Sequence, residues 1–474
     1  MTITFHQFFI GFIAVSYVLG VLSSALAILR SRTPQGATAW IMALLSIPFL
    51  TVPLFLIFGH SRFYGYNRRM KISNRKFFDQ FGSLKSFDPS LIEDSEEIKL
   101  LQATIDKQNQ PGFTHNNKLE LLINGKETFD SMEEAISQAK SYIVFQVYTF
   151  QSDSVGMRFA QLLASKAQEG VRVSLIYDEI GAKISRKILK ILKNSGVKIA
   201  RFNRFNGRGR LQVNFRNHRK IIIVDGKVAF VGGHNIGDEY LGLNPVFGYW
   251  RDTHVKLQGP SVIAAQLAVA KDWYCCQQEF MDADWDIHPS EGDSHAMVLH
   301  TGPADERHTC LLAHLSLIHS AKTRLWIASP YWVVPESLMD AILLASLRGV
   351  EVKVLMPSYI DSKTVMLASK VYQERFIQHG IQVFEYQKGF LHQKTMIVDD
   401  CFGVVGSANF DCRSMFINFE VSVMTIEKSF IQEMEKMFEE DFKNSRIVDL
   451  QELKNLSLYQ QILTRGANLF APVL

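Results

Sequence analysis

The chain has 474 residues, comfortable for two domains and an anchor. A formal charge of only +4 says little about partners. Cys275, Cys276, Cys310, Cys401 and Cys412 show no CxxC spacing and no clustering with His, which makes a metal site improbable and reads as free thiols in a reducing compartment.

The stretch from Phe8 to Leu29 carries no charged side chain and is long enough to span a bilayer, with Arg30 just beyond it. A cleaved signal peptide is disfavoured, because the amino end lacks Lys and Arg and a second apolar run follows. That run, Ala39 to Gly59, is also uncharged, but Pro48 and Pro53 kink it, so it either spans or is re-entrant. A hairpin buried in a soluble core is the alternative, and two uncharged runs of near-spanning length weigh against it. Residues 1–60 therefore read as a transmembrane helical hairpin. Arg30 and Arg32 lie in its connecting loop, whereas Arg62, Arg68, Arg69, Lys71, Arg75 and Lys76 follow the second run with no acid before Asp79. The positive-inside rule places that side in the cytoplasm, so the hairpin tip faces out and the rest of the chain faces in. The same cluster suits anionic lipid better than plain solvation, because it sits beside the membrane. Residues 61–116 read as this basic segment and a linker.

From Lys118 strands and helices alternate. Leu119 to Ile123 is a strand with Asn124-Gly125 as a turn. Tyr142 to Phe150, Val171 to Tyr177 and Val197 to Arg201 are further strands, separated by helices over Met157 to Ala167 and Ile184 to Leu192. The order returns later: Met297 to His300, Leu325 to Pro330, Val350 to Leu355 and Ile381 to Tyr386 read as strands, with helices over Leu311 to Ala321 and Leu338 to Ser346. Gly170-Val171-Arg172-Val173 echoes Gly349-Val350-Glu351-Val352. The expectation is an α/β fold with mixed sheets in two halves, 117–292 and 293–474, facing across a pseudo-two-fold.

Each half carries the same motif. The first reads His218-Arg219-Lys220, then Ile221-Ile222-Ile223-Val224, then Asp225-Gly226, and later Gly232-Gly233-His234-Asn235. The second reads His392-Gln393-Lys394, then Thr395-Met396-Ile397-Val398, then Asp399, and later Gly406-Ser407-Ala408-Asn409. The β-branched run after each His predicts a strand, so His and Lys share a face. A two-residue turn at Asp225-Gly226 sets His218 opposite Gly233, and one at Asp399-Asp400 sets His392 opposite Ser407. His, Lys and Asn then gather at one end of each hairpin, while the Asp lies roughly 20 Å from its His. Asp225 and Asp399 are thus turn residues, not reacting groups. Imidazole can attack phosphorus or protonate a leaving oxygen, and ammonium and amide donors can hold non-bridging oxygens. One copy alone would read as a buried strand with an incidental His and Lys; a second at matching spacing makes coincidence a poor account.

These residues resemble the paired HxKxxxxD motifs of the phospholipase D superfamily. The surroundings, Gly232 to Tyr240 and Ser407 to Ser414, are most similar to bacterial cardiolipin synthases, as is Pro34-Gln35-Gly36-Ala37-Thr38-Ala39-Trp40. The resemblance covers nearly the whole chain. It implies two phospholipase D-like domains behind the membrane hairpin, in a bacterial cell membrane. It implies a phosphatidyltransferase that joins two phosphatidylglycerols into cardiolipin and glycerol through a phosphatidyl-histidine, with no cofactor, no metal and no nucleic acid. Lys220, Lys394, Asn235 and Asn409 would bind phosphate with help from Ser407, in whose place the first copy has Gly233, with only a backbone amide to offer. Asp252 would orient His218, and Glu420 would orient His392. Without the resemblance either acid is an ordinary strand carboxylate. His218 is favoured as nucleophile and His392 as acid/base, although near-symmetry leaves this open. A hydrolytic phospholipase D, a phosphatidylserine synthase and a nuclease would use the same motifs, and the membrane segment disfavours the nuclease. A non-catalytic binder of anionic lipid or nucleic acid would not need two imidazoles.

Other features bear less directly. Arg204, Arg208 and Arg210, near Arg201 and Arg216, form a basic approach to His218 that is either a solvated loop or a lip for lipid phosphate. Tyr148 and Tyr331 occupy comparable strand ends, where they either line the cleft or serve as core aromatics, the second being the simpler reading. Leu456 to Phe470 could lie on membrane or pack on the second half.

Overall fold

The computed structural model describes residues 5–31, 33–59, 96–108, 110–203 and 214–473. Arg32, the basic cluster from Arg62 to Lys76, and Arg204, Arg208 and Arg210 lie outside the described residues.

Phe5–Arg30 is one helix, and its Gln7–Arg30 portion is long and apolar enough to cross a membrane, with mean hydropathy 2.3. The second apolar run is not one continuous helix. It divides into Pro34–Ser46 and Pro48–Phe58. Pro48 disfavours helical backbone at the residue before it, and Ile47 accordingly sits at φ −137°, ψ 64°. The first piece has 13 residues, about 20 Å of helix against the roughly 30 Å of a bilayer core. Both pieces pack on the long helix. Gly20 permits the approach, since a Cβ there would fall 2.6 Å from the Leu44 carbonyl oxygen.

The body is built on a 15-stranded sheet. Its middle is the antiparallel pair of Thr114–Ile123 with Ser294–Thr301. Outward on one side run Thr253–Gln258, Val228–Gly232, Ile221–Val224, Tyr142–Val147, Arg172–Asp178 and Lys198–Phe202. On the other side Glu420–Thr425, Phe402–Gly406, Thr395–Val398, Arg324–Ala328, Glu351–Pro357 and Gln382–Tyr386 repeat that order, and Ser445–Ile447 adds an edge. Strand alternation explains the core. Ile222 and Val224 face a cluster of the first half that only Phe390 of the second joins, whereas Ile221 and Ile223 face a cluster shared with Val298, Trp326 and Phe384 of the second. The helices Ser261–Gln277 and Lys428–Lys443 fill that shared cluster. The first is apolar on almost every side, as a helix enclosed by sheet must be.

The element order matches the alternation read from the sequence, with local corrections. Asn124-Gly125 opens the helix Asn124–Ser137 instead of making a turn. Each motif hairpin closes through three residues, not two. Val224 pairs with Val228 and Val398 with Phe402, so the register differs by one from that expected. Each Asp takes left-handed backbone, at φ 52° for Asp225 and 51° for Asp399. The carboxylates stabilise that conformation by capping the neighbouring strand. Asp225 accepts the N–H groups of Lys140, Ser141 and Tyr142 at 2.7–2.9 Å. Asp399 accepts those of Lys322, Thr323 and Arg324 at 2.8–2.9 Å. Burial acts to raise the Asp399 pKa, but these donors outweigh it and hold the carboxyl below its ordinary value. Asp399→Asn should therefore destabilise the fold by about 1–2 kcal/mol, in the range of a lost cap. The deficit relative to wild type should shrink in acid, because a depressed carboxyl stabilises above its unfolded pKa and stops doing so as pH falls through the folded one. Thermal melts at pH 7 and pH 3.5 check this, and an equal deficit at both would refute it.

At the carboxyl end, Leu458–Asn468 packs on Lys363–Gln378 with Thr464 and Ala467 buried. Leu458, Tyr459 and Ile462 stay exposed.

Candidate active site

Two short pairings join the halves at the ends of the motif hairpins. Phe390–Leu391 pairs in parallel with Trp250–Arg251, and Asn217 bridges to Phe419. The His392 N–H donates to the Arg251 carbonyl at 2.7 Å, and the His218 N–H to that of Phe419 at 2.9 Å. Each HxK segment is thus laid beside the carboxylate segment of the opposite half. His218 Nδ1 lies 3.0 Å from Glu420 Oε2, and His392 Nδ1 lies 2.6 Å from Asp252 Oδ2. This reverses the expected assignment, in which Asp252 served His218 and Glu420 served His392. Within one half, the returning hairpin strand separates the strand after the His from the strand that follows Asp252 or begins at Glu420. Only the other half can reach.

Both imidazoles open into one cavity of about 620 Å³. Asn235, Asn409, Tyr148 and Tyr331 also line it, so both tyrosines belong to the site and not merely to the core. The Tyr148 ring meets His218 edge-on at 5.1 Å, and Trp250 lies 5.0 Å from the His392 ring. Tyr240, Phe247, Trp250 and Phe390 make an aromatic wall.

The two carboxylates are held differently. Glu420 accepts Ser407 Oγ on one oxygen, and Ser414 Oγ at 2.9 Å and Asn418 Nδ2 at 3.2 Å on the other. Ser407 is therefore behind His218, fully buried against the orienting acid and outside the cavity lining, not where a phosphate donor was expected. Asp252 accepts the Thr253 N–H at 2.8 Å. Gly233, the counterpart of Ser407, leaves the room that Asp252 occupies, since a Cβ there would fall 2.0 Å from Asp252 Oδ1. Gly233→Ser should displace Asp252 and reduce turnover by about 10²-fold, the scale of a lost positioning contact. Steady-state rates on folded protein test this, and unchanged turnover would show that the glycine is not needed.

Lys220 Nζ donates to the His218 carbonyl at 2.7 Å and sits 5.5 Å from the Tyr148 ring centre. Lys394 donates to the His392 carbonyl and lies 2.9 Å from His392 Nδ1. Burial pushes Lys220 down to about 7 and Lys394 to about 8, despite nearby carboxylates. Burial, with Lys394 beside it, pushes His392 down to about 3. Burial also lowers His218, against the pull of Glu420. Burial opposes ionisation of Asp252 and Glu420, but the cations and imidazoles prevail and hold both below the usual carboxylate range. Burial thus favours neutral imidazoles against ionised acids, and a phosphate between them would raise every one of these bases.

Asn235 and Asn409 reach the cavity with amides already anchored. Asn235 Oδ1 accepts the Thr149 N–H at 3.0 Å and its Nδ2 donates to Tyr240 Oη at 2.9 Å. Asn409 Nδ2 donates to Asp411 Oδ2 at 3.0 Å. Two buried ion pairs below the site escaped the sequence reading. Arg219 pairs with Asp272 at 2.8 Å and donates across the halves to the carbonyls of Glu420 and Thr301. Arg251 grips both oxygens of Asp441 at 2.7 and 2.8 Å, where Gln393 also donates. The residue between His and Lys was the available signal, as Arg219 and Gln393 occupy that place. Among the described residues no group of His, Cys, Asp or Glu is arranged to hold a metal ion, and the five cysteines form no disulfide.

Residues 132–245 and 314–442 match the family described as "Cardiolipin synthase, PLD-like domain". The chain is 39% identical to Cardiolipin synthase A of Pseudomonas putida over 100% of both chains. It is 40% identical to Cardiolipin synthase A of Pseudomonas aeruginosa over 96% of this chain and 94% of that one. Among solved structures, phosphatidylserine synthase of Haemophilus influenzae superposes with TM-score 0.64 at 14% identity, covering 79% of this chain and 100% of its own, which shows a shared fold.

Proposed function

The chain belongs to the cardiolipin synthase family of the phospholipase D superfamily, and from that premise we propose how its cavity makes cardiolipin. It is a phosphatidyltransferase. Phosphatidylglycerol is both donor and acceptor. One neutral imidazole attacks the donor phosphorus, forming a P–N bond as the bond to the glycerol oxygen breaks. The other imidazole, protonated once the phosphate is bound, gives its proton to that oxygen, and glycerol leaves. It then takes a proton from a glycerol hydroxyl of the second phosphatidylglycerol. That oxygen attacks phosphorus, the P–N bond breaks, and cardiolipin forms.

Asn235 and Asn409 line the cavity, Lys220 and Lys394 lie behind its imidazoles on the carbonyls of His218 and His392, and these donors meet the charge that builds on the transferring oxygens. Asp252 and Glu420 fix the imidazoles through Nδ1, leaving Nε2 for chemistry. The aromatic wall excludes water and favours transfer over hydrolysis. The observation that carries this reading is the crossed pairing, in which two imidazoles in one cavity are each oriented by the opposite half.

The repeated strand order supports two domains, 117–292 and 293–474, related by an approximate two-fold. The helix Phe5–Arg30 anchors them to the bacterial cell membrane, with residues 1–60 as the membrane hairpin and the catalytic body in the cytoplasm. The reaction needs no cofactor and takes no nucleic acid. Purified protein given phosphatidylglycerol without added metal should yield cardiolipin and glycerol by mass spectrometry. Phosphatidic acid alone would show a hydrolase instead.

A further inference from the structure

The two halves agree at the reacting positions but diverge in charge just after each asparagine. The fourth residue past Asn235 is Glu239, and the fourth past Asn409 is Arg413. Both side chains line the cavity. Glu239 stands with Gln151 and Lys183. Arg413 stands with Arg216, itself on the cavity wall and close in sequence to His218. Arg413 is pinned, because its Nη1 donates to Asn214 Oδ1 at 3.0 Å and its Nη2 to the Asn214 carbonyl at 2.6 Å. The nearby acid, Asp411, is occupied on both oxygens by the Ser414 N–H at 2.7 Å and Asn409 Nδ2 at 3.0 Å. The cavity therefore has one corner with two guanidiniums and a related corner where the carboxylate of Glu239 offsets the single cation Lys183, while Asp361, a further lining acid, accepts Tyr331 Oη at 2.9 Å.

Two anionic lipids must meet here. One phosphate lies between the imidazoles, where Lys220 and Lys394 serve it. The other lies one glycerol away, both in the acceptor and in the product, and those lysines are already engaged. A guanidinium pair with one member pinned suits a second phosphate, whereas the carboxylate at the equivalent place cancels the one lysine beside it and disfavours a second anion there. We propose that Arg413 and Arg216 form a second anion subsite for the phosphate of the acceptor phospholipid, and that Glu239 bars the related corner, so the acceptor enters in one orientation. This rests on the reading of the protein as a synthase that uses two phosphatidylglycerols.

The test compares acceptors. Wild type, Arg413→Gln and Arg216→Gln, each shown by thermal melt to be folded, receive phosphatidylglycerol with and without ethanol. Ethanol accepts the same phosphatidyl group but carries no phosphate. Cardiolipin formation should fall about tenfold or more in each variant, as for a lost charged hydrogen bond. Phosphatidylethanol formation should stay within about twofold of wild type on the same scale. Arg413→Lys should recover part of the loss. A parallel fall in both products would place the arginines in the chemistry and overturn the subsite, as would unchanged cardiolipin formation. Wild type that makes phosphatidylethanol but no cardiolipin would overturn the synthase reading itself, a pattern distinct from either variant result.

Discussion

Replacing either His218 or His392 with alanine should reduce cardiolipin formation by about 10⁴-fold or more, the scale on which loss of one member disables a nucleophile–base unit. Neither position has a substitute. Both rings open into the same cavity, and each is fixed by a separate carboxylate. Without the nucleophilic imidazole no P–N bond forms. Without the other, the glycerol oxygen would depart unprotonated, which a poor leaving group resists. The two variants should therefore separate on a phosphatidyl ester with a good leaving group such as nitrophenolate. The acid/base variant should still release nitrophenol in one burst and retain phosphatidyl on the protein. The nucleophile variant should do neither. Lipid labelled in its phosphate, followed by a denaturing quench at mildly alkaline pH that spares the acid-labile P–N bond, measures the adduct and identifies which histidine attacks. If either alanine variant kept a tenth of wild-type cardiolipin synthesis, a two-imidazole mechanism would be untenable.

Asp252→Asn and Glu420→Gln should each reduce turnover by about 10³–10⁴-fold with the fold intact, near the scale known for the triad aspartate of serine proteases. A carboxylate only accepts, so it requires a proton on Nδ1 and leaves the Nε2 lone pair facing the substrate. An amide can donate to Nδ1, and the ring then turns to the wrong tautomer. Because the pairs cross the halves, Asp252→Asn should disturb His392 and leave His218 as it was, with the converse for Glu420→Gln. Nitrogen shifts of labelled histidine report the tautomer at each ring. An Asp252→Asn protein in which His218 changed and His392 did not would contradict the pairing. Asp252 is the sharper case, since Glu420 retains Ser407, Ser414 and Asn418 as further anchors while Asp252 relies on fewer.

Much of this was legible in the chain. The His, Lys and Asn of each copy are local facts, because strand periodicity and a hairpin suffice to bring them to one end. The apolar helix near the amino end and the alternating elements are local as well. The hairpin register differs by one residue from what local turn chemistry predicts, because the Asp carboxylates reach out to Lys140 and Lys322, far along the chain, and these contacts favour three-residue loops. The second apolar run was known to contain Pro48, but where the helices part depends on backbone angles at Ile47.

Spacing within each half therefore determined the reacting groups, since residues a few positions apart on a strand have few ways to be arranged. The orienting acids, the place of Ser407 behind one of them and the arginines in the cavity were decided only when the halves came together. Asp252 is near its own His218 in sequence, yet a strand lies between them, and Glu420 crosses the junction to take that place. Contacts between distant segments follow from which strands become neighbours, and that is set by burial across the entire sheet instead of by any local run of residues.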